Sequence, residues 1–429
     1  MFAPIQEDEW SRFQQYAGRV RELHHHEVND KIDRSAFDAL FLRNGGKPLL
    51  PALEGLDWRQ SSPHGAEMLS FMPESLRRLR FFLTSRNGGS EIPRKRDYNF
   101  GTALWLVATR VPTLGVLEVR GVEHPCSLSS LAEFKHLCTL SLGTIPSISV
   151  VLQSCAAMEH LQSLSFFLHP NRSNELVGTF RTGFRALRSL SMSGTSSDTT
   201  SMLAAIRSPH LYSVVMMITL EVRDLEGWRR CYQTLGSRFA SSLRTLEITC
   251  LPPVWQVIGD EIVPLQENIE ALLTLHKLEK LYLAIDDIYV SLTDDDFLKI
   301  ATAWPELSSL TIYVRQSDSV PPPSIHSLKI IAEHCPRLKT LTLPRLNVSD
   351  LSELEIEASP PMMSHKLQNL SIADLELTDR EGARLVRFLD SIFPYLSKDA
   401  VVSVLQRRRG MEQVLSPLSH RGSGRDASI

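Results

Sequence analysis

Apolar residues recur along the chain in a six-residue pattern, apolar-x-x-apolar-x-apolar. It is plainest at Leu137, Leu140 and Leu142, at Leu243, Leu246 and Ile248, at Leu278, Leu281 and Leu283, and at Leu338, Leu341 and Leu343. The alternation in its second half has period two, which predicts a short strand with one buried face. The fourth and sixth positions then point inward, and the third, fifth and seventh point outward. Downstream of the strand comes a segment with apolar residues at helical spacing, such as Phe297, Leu298, Ile300 and Ala301 before Trp304-Pro305, or Leu225, Trp228, Tyr232 and Leu235. Each unit is therefore a strand followed by a helix.

Counting conservative replacements there are about thirteen copies, the self-similarity of a leucine-rich repeat. They start at Val20, Leu53, Leu76, Leu114, Leu137, Leu161, Leu187, Leu211, Leu243, Leu278, Leu307, Leu338 and Leu367. The predicted fold is an α/β leucine-rich-repeat solenoid, a horseshoe with a concave parallel sheet and convex helices. One strand-plus-helix unit cannot cover its own apolar face, so neighbours must share a continuous core. The copies from Leu114 to Leu211 lie about 23 to 26 residues apart and the later ones about 29 to 35, which predicts longer helices or loops in the second half. The ninth position of a common repeat is Asn or Cys. Here residues such as Val122, Thr195 and Leu346 replace it, so the usual side-chain ladder between loops is absent and curvature should be irregular.

The ends differ from the middle. Residues 1–19 predict an amphipathic capping helix with Trp10, Phe13 and Ala17 on one face, and repeats run over 20–378. Residues 379–406 predict a helical cap with Ala383, Leu385, Val386 and Leu389 inward, because an open solenoid end must be covered. From 407 to 429 the composition turns to Arg, Ser and Gly, which predicts a disordered tail. Pro321-Pro322-Pro323 and the stretch from Glu357 to Ser364 read as irregular connectors.

Composition narrows the class. The 429 residues are 43% hydrophobic and 22% charged with a formal net charge of −3, values of an ordinary soluble folded chain. Acidic and basic residues are mixed along the sequence, whereas a nucleic-acid binder carries a basic face. No signal-peptide pattern opens the chain, and no apolar run reaches the roughly 18 residues of a membrane span. The expectation is an intracellular protein, cytoplasmic or nuclear, engaging neither membrane nor nucleic acid. The six cysteines, Cys126, Cys138, Cys155, Cys231, Cys250 and Cys335, show no paired close spacing and read as buried thiols rather than zinc ligands or disulfides. The sequons at Asn171, Asn347 and Asn369 then mean little, since glycosylation first requires secretion.

No nucleophile–base pair, phosphate loop or metal signature stands at recognisable spacing, so neither enzymatic activity nor a cofactor is expected. His24-His25-His26 alternate in direction on a strand and cannot all meet one metal. Asp294-Asp295-Asp296 precede a helical run, where carboxylates cap amide donors and favour the helix dipole. Ser193 to Thr200 reads as a solvated turn, and Arg94-Lys95-Arg96 as part of a loop from Asn87 to Arg96.

The outward positions fall into three zones. The first is charged, with Asp57, Arg59, Arg78, Arg80, Glu118 and Arg120. The second is hydroxylic, with Thr139, Ser141, Ser163, Ser165, Ser189 and Ser191. Further on come Phe167, Val215, Met217, Tyr282 and Tyr313. Interface energy concentrates in arginines and aromatics. Arg78, Arg80, Glu118, Arg120, Phe167, Met217, Tyr282 and Tyr313 are therefore the candidate ligand-binding residues, for a protein or peptide lying across the concave face.

Glu7-Asp8-Glu9-Trp10, Phe13, Tyr16-Ala17, Arg19-Val20-Arg21 and Leu23, followed by Pro48-Leu49-Leu50-Pro51 and Leu53, resemble the region just after the F-box in fungal F-box/leucine-rich-repeat proteins. Cys335-Pro336-Arg337-Leu338-Lys339-Thr340-Leu341 is similar to that family's cysteine-containing phrase, and Ile392-Phe393-Pro394 to its closing segment. The resemblance starts after the F-box, so no F-box residue is carried over. It implies a substrate-recognition scaffold of a cullin-RING ubiquitin ligase, with the ligase adaptor as a partner if an F-box is supplied or divergent. A stand-alone scaffold or inhibitor-like binding protein is the alternative.

Overall fold

A computed structural model of the full chain describes residues 5–26, 34–60, 67–83, 93–121, 125–145, 149–168, 183–219, 224–251, 262–349, 365–373, 375 and 379–397. The chain divides into two compact units, Met1–Gln256 and Val257–Ile429.

The first unit opens with helix α1 (Glu7–Ala17), then alternates strands with helical segments. They run β1 (Glu22–His26), α2 (Arg34–Arg43), β2 (Gly55–Gln60), a 3-10 turn Glu67–Phe71, β3 (Arg78–Leu83), α3 (Pro93–Arg110), β4 (Val116–Arg120) and a 3-10 segment Pro125–Glu133. They continue with β5 (Thr139–Ile145), α4 (Ser149–Ala156), β6 (Ser163–Leu168), β7 (Ser189–Gly194), α5 (Ser196–Ala205), β8 (Ser213–Thr219), α6 (Leu225–Phe239) and β9 (Thr245–Leu251). Each strand pairs in parallel with the next in sequence. This is the topology of a leucine-rich-repeat solenoid, and each predicted phrase in the unit carries one strand.

A backbone device sets the register. The N–H groups of Glu54 and Gly55 both donate to the Arg21 carbonyl (2.8 and 3.0 Å), those of Arg77 and Arg78 to Glu54, and those of Cys138 and Thr139 to Gly115. The pattern persists to Arg244 and Thr245 on Tyr212 (both 2.9 Å). The second and third positions of one phrase thus hang from the second position of the phrase before. Because a one-residue slip would turn every leucine outward, the buried face and these paired bonds enforce the same alignment.

The core follows directly. Leu137, Leu140, Leu142, Leu243, Leu246 and Ile248 are fully buried, each contributing roughly 1.5–3 kcal/mol. From the helical side, Trp228, Tyr232, Leu235 and Phe239 of α6 close over the strands. Trp10 and Ala17 of α1 are also buried, Phe13 stacks on Trp10 at 5.1 Å, and Arg43 lies 5.2 Å from the Trp10 ring while donating to Glu7 Oε1 (2.8 Å).

The second unit contains β10 (Ile262–Pro264), α7 (Leu265–Ile269), a 3-10 turn Glu270–Thr274, β11 (Lys280–Ser291), α8 (Asp294–Ala303), β12 (Ser309–Arg315), α9 (His326–His334), β13 (Thr340–Leu343), β14 (Asn369–Ile372) and α10 (Asp379–Ile392). Strands β11 to β14 pair in parallel in sequence order, and β10 adds to β11. The same carbonyl device recurs, with Ser308 and Ser309 on Glu279 and Lys339 and Thr340 on Ser308.

Side chains at the strand-to-helix corners tie repeats together where the usual ladder residue is replaced. Asp224 caps α6, taking the Gly227 N–H at 2.8 Å, and its other oxygen accepts the Ser196 hydroxyl from the preceding helix. In the second unit Thr293 and Asp296 form a capping box on α8. Asp294 reaches forward and accepts from the Ser324 N–H (2.9 Å), the Ser324 hydroxyl (2.7 Å) and the Ser327 hydroxyl at the start of α9. The acidic run thus caps α8 through Asp296, as its position before the helix implied, and also bridges to the next repeat through Asp294, which that position did not imply.

Four local expectations differ. The Ser193–Thr200 stretch closes β7 and starts α5 rather than forming a solvated turn: Thr195 caps α5 and Asp198 is fully buried. Arg94-Lys95-Arg96 belongs to the first turns of α3, because Pro93 supplies a ready-made first helical position. Leu298 stays 39% exposed, and the inward face of α10 runs through Leu385, Phe388, Leu389 and Ile392, leaving Ala383 outside. The connector 357–364, the segment 401–405 and the tail 407–429 lie outside the described residues.

Candidate functional site: the strand face

The outward residues of the first unit form rows across neighbouring strands, roughly 4.8 Å apart in a sheet. One row reads His24, Asp57, Arg80, Glu118, Ser141, Ser165, Ser191, and the next reads His26, Arg59, Phe82, Arg120. Opposite charges alternate along the first row. Glu118 holds two guanidiniums, Arg80 Nε at 3.3 Å and Arg120 Nη2 at 2.7 Å. Asp57 holds Arg59 Nε at 3.4 Å with His24 Nδ1 at 3.7 Å, and Glu22 pairs with Arg78. Between the two arginines of the second row lies Phe82, its ring centroid 4.9 Å from the Arg59 guanidinium and 5.5 Å from that of Arg120. Such cation–π contacts orient the guanidiniums without removing them from solvent.

Arg78, Arg80, Glu118 and Arg120 are therefore brought together. Phe82 belongs with them and was missing from the candidate residues. Its signal was present, since it occupies the seventh position of the phrase that starts at Leu76. Beyond this cluster the face is hydroxylic, with Thr139, Ser163, Ser189 and Ser213 aligned in a half-buried row. Phe167 and Met217 both point outward but stand on either side of Ser193, one strand apart from it each way.

In the second unit Tyr282 and Tyr313 meet edge to face, with ring centroids 5.9 Å apart, and Arg315 lies 4.9 Å over the Tyr289 ring. Both tyrosines are half-buried. The triple histidine splits as strand geometry requires: His25 packs 4.0 Å from the Trp58 ring, while His24 faces Asp57 on the other side.

The groups with displaced titration lie in the core. Burial pushes the thiols of Cys155, Cys231 and Cys335 up to about 12, and raises Tyr232 well above the ordinary phenol range. A thiol in that state is protonated at neutral pH and is no nucleophile. Burial also lowers His365, whose Nε2 lies 2.8 Å from the Cys335 carbonyl and whose Nδ1 accepts the Leu367 N–H. Among the described residues no group of three or more His, Cys, Asp or Glu is placed to hold a metal ion, and no described helix is long and apolar enough to cross a membrane.

No protein-family model matches the sequence, and no curated protein matches it. Among solved structures the chain is similar to a Bacteroides fragilis protein, at 15% identity over 58% of this chain and 65% of that one, with a TM-score of 0.31. It is similar to a chain of the yeast Rad7–Elc1 complex, at 12% identity over 87% and 92%, with a TM-score of 0.38. A third similarity is to the leucine-rich-repeat ectodomain of the Arabidopsis receptor kinase HAESA bound to an extended IDA peptide hormone, at 14% identity over 76% and 58%, with a TM-score of 0.27.

Proposed function

We propose that this chain is a non-enzymatic binding scaffold whose strand face takes a protein or peptide ligand. The observation that carries this reading is the composition of the outward rows. A solvated face needs only small polar groups, yet here arginines and an aromatic ring cluster on β2 to β4 and tyrosines pair on β11 and β12. Those residue types dominate interface energy because they bury large area and make charge-assisted hydrogen bonds. The capping roles of α1 and of α10 belong to the same reading, as does an intracellular location.

The finer reading is a substrate-recognition scaffold of a cullin-RING ligase, supported by the sequence resemblance of residues 7–23 and 335–341. The test is affinity capture with the full chain, comparing the native protein with Arg80→Ala and with Tyr282→Ala. A ligand that depends on either side chain supports the scaffold, and a ligand retained by both variants and by their combination contradicts it. Recovery of the ligase adaptor and cullin decides the finer reading.

A further inference from the structure

We infer that the charged end of this face, on β2, β3 and β4, recognises an extended acidic peptide segment with carboxylates on alternate residues followed or preceded by an apolar side chain. The inference rests on the scaffold reading and specifies the ligand's chemistry. Among the described residues Arg59, Arg78, Arg80 and Arg120 face Glu22, Asp57 and Glu118, four guanidiniums to three carboxylates. Depth reinforces the imbalance. The Asp57 and Glu118 side chains are only 9% and 17% exposed, whereas those of Arg78, Arg80 and Arg120 are 56%, 57% and 44% exposed. The recessed Asp57 and Glu118 position Arg59, Arg80 and Arg120, while Glu22, 47% exposed, pairs with Arg78 at the surface, and the guanidiniums form most of the surface that a partner meets.

The spacing selects the partner's shape. Arg78, Arg80 and Phe82 occupy alternate positions of β3 on one face, so their side chains repeat every 6.5 Å or so along the strand. An extended peptide has the same repeat. Carboxylates two residues apart meet Arg78 and Arg80, and an apolar side chain two residues further covers Phe82. Arg120, beside Phe82 in register, provides a second guanidinium for the carboxylate on Arg80.

The probe is a fluorescein-labelled peptide containing Glu-Ser-Glu-Ser-Leu, titrated against the full chain to about 1 mM. The expected result is binding at least about tenfold tighter than the matching Gln-Ser-Gln-Ser-Leu peptide, weakening as salt is raised. Binding should be lost in Arg80→Gln/Arg120→Gln, largely kept in Arg80→Lys, and unchanged in Arg185→Gln/Arg188→Gln, which removes the same charge from the exposed turn before β7. Equal affinity for the two peptides, or equal loss in the Arg185/Arg188 variant, overturns the inference. A captured partner that depends on Arg80 but tolerates removal of its own carboxylates would sink this inference and leave the scaffold standing.

Discussion

Replacing Asp294 by alanine should open the α8–α9 corner of the second unit. Asp294 accepts three hydrogen bonds from the next repeat, from the Ser324 N–H, the Ser324 hydroxyl and the Ser327 hydroxyl. Ser327 is fully buried and cannot turn to water once its acceptor is gone. Hydrogen bonds to a charged group contribute about 1.5–3 kcal/mol each. Taking the Ser327 bond and the Ser324 pair as two such interactions at the lower end gives about 3 kcal/mol for the corner. The neighbouring Asp295 provides an internal reference. It pairs with Lys299 one turn on while remaining 63% exposed, so Asp295→Ala should cost only about 0.3–0.5 kcal/mol. Hydrogen-exchange mass spectrometry on peptides spanning α8 and α9 reads the difference locally. Exchange there should accelerate more than about a hundredfold for Asp294→Ala, with little change for Asp295→Ala. Equal protection in the two variants would refute the bridging role.

Three further outcomes are expected. Leu246→Asp places a carboxylate at a fully buried position of β9 and should lower stability by several kcal/mol, on the order of 4, read as an earlier circular dichroism melt. Because folding lowers the His365 pKa below its usual 6.5, the unfolded chain takes up a proton that the folded chain does not. His365 therefore favours folding above that pH, and the contribution is lost as pH falls from there through the lowered folded-state value; His365→Gln should flatten the stability slope between neutral and mildly acid pH, and an unchanged slope contradicts it. Alkylation of the native chain at neutral pH should modify the half-exposed Cys138 well before Cys155, Cys231 and Cys335, whose protonated thiols are buried; mass spectrometry of the digested product checks the order.

The phrase Leu-x-x-Leu-x-Leu made the strands legible because one short motif fixes three things at once: which residues are buried, which carbonyl the next repeat hangs from, and which side chains face out. That is why Leu140 and Leu142 were readable as core and Arg78 and Arg80 as surface. The corners were less legible. Ser196 meets Asp224 and Ser327 meets Asp294 across 28 and 33 residues of chain, and loops of varying length between repeats leave no fixed offset to search for. Asp198 misled for a related reason. In sequence it sits in a hydroxyl-rich run typical of solvated turns, yet the Thr195 cap draws that run into a helix packed under its neighbours. Leu298 and Ala383 show a limit of helical periodicity, since apolar residues near the edge of a buried stripe fall on either side of it.

The most direct test of the scaffold is site-specific photo-crosslinking in the first unit. A benzophenone side chain placed at Ser165, in the middle of the strand face, is compared with one at Gln233, on the exposed side of α6. The account predicts that a partner protein is trapped from Ser165 and not from Gln233. Trapping from Gln233 alone would put the binding surface on the helices and contradict it.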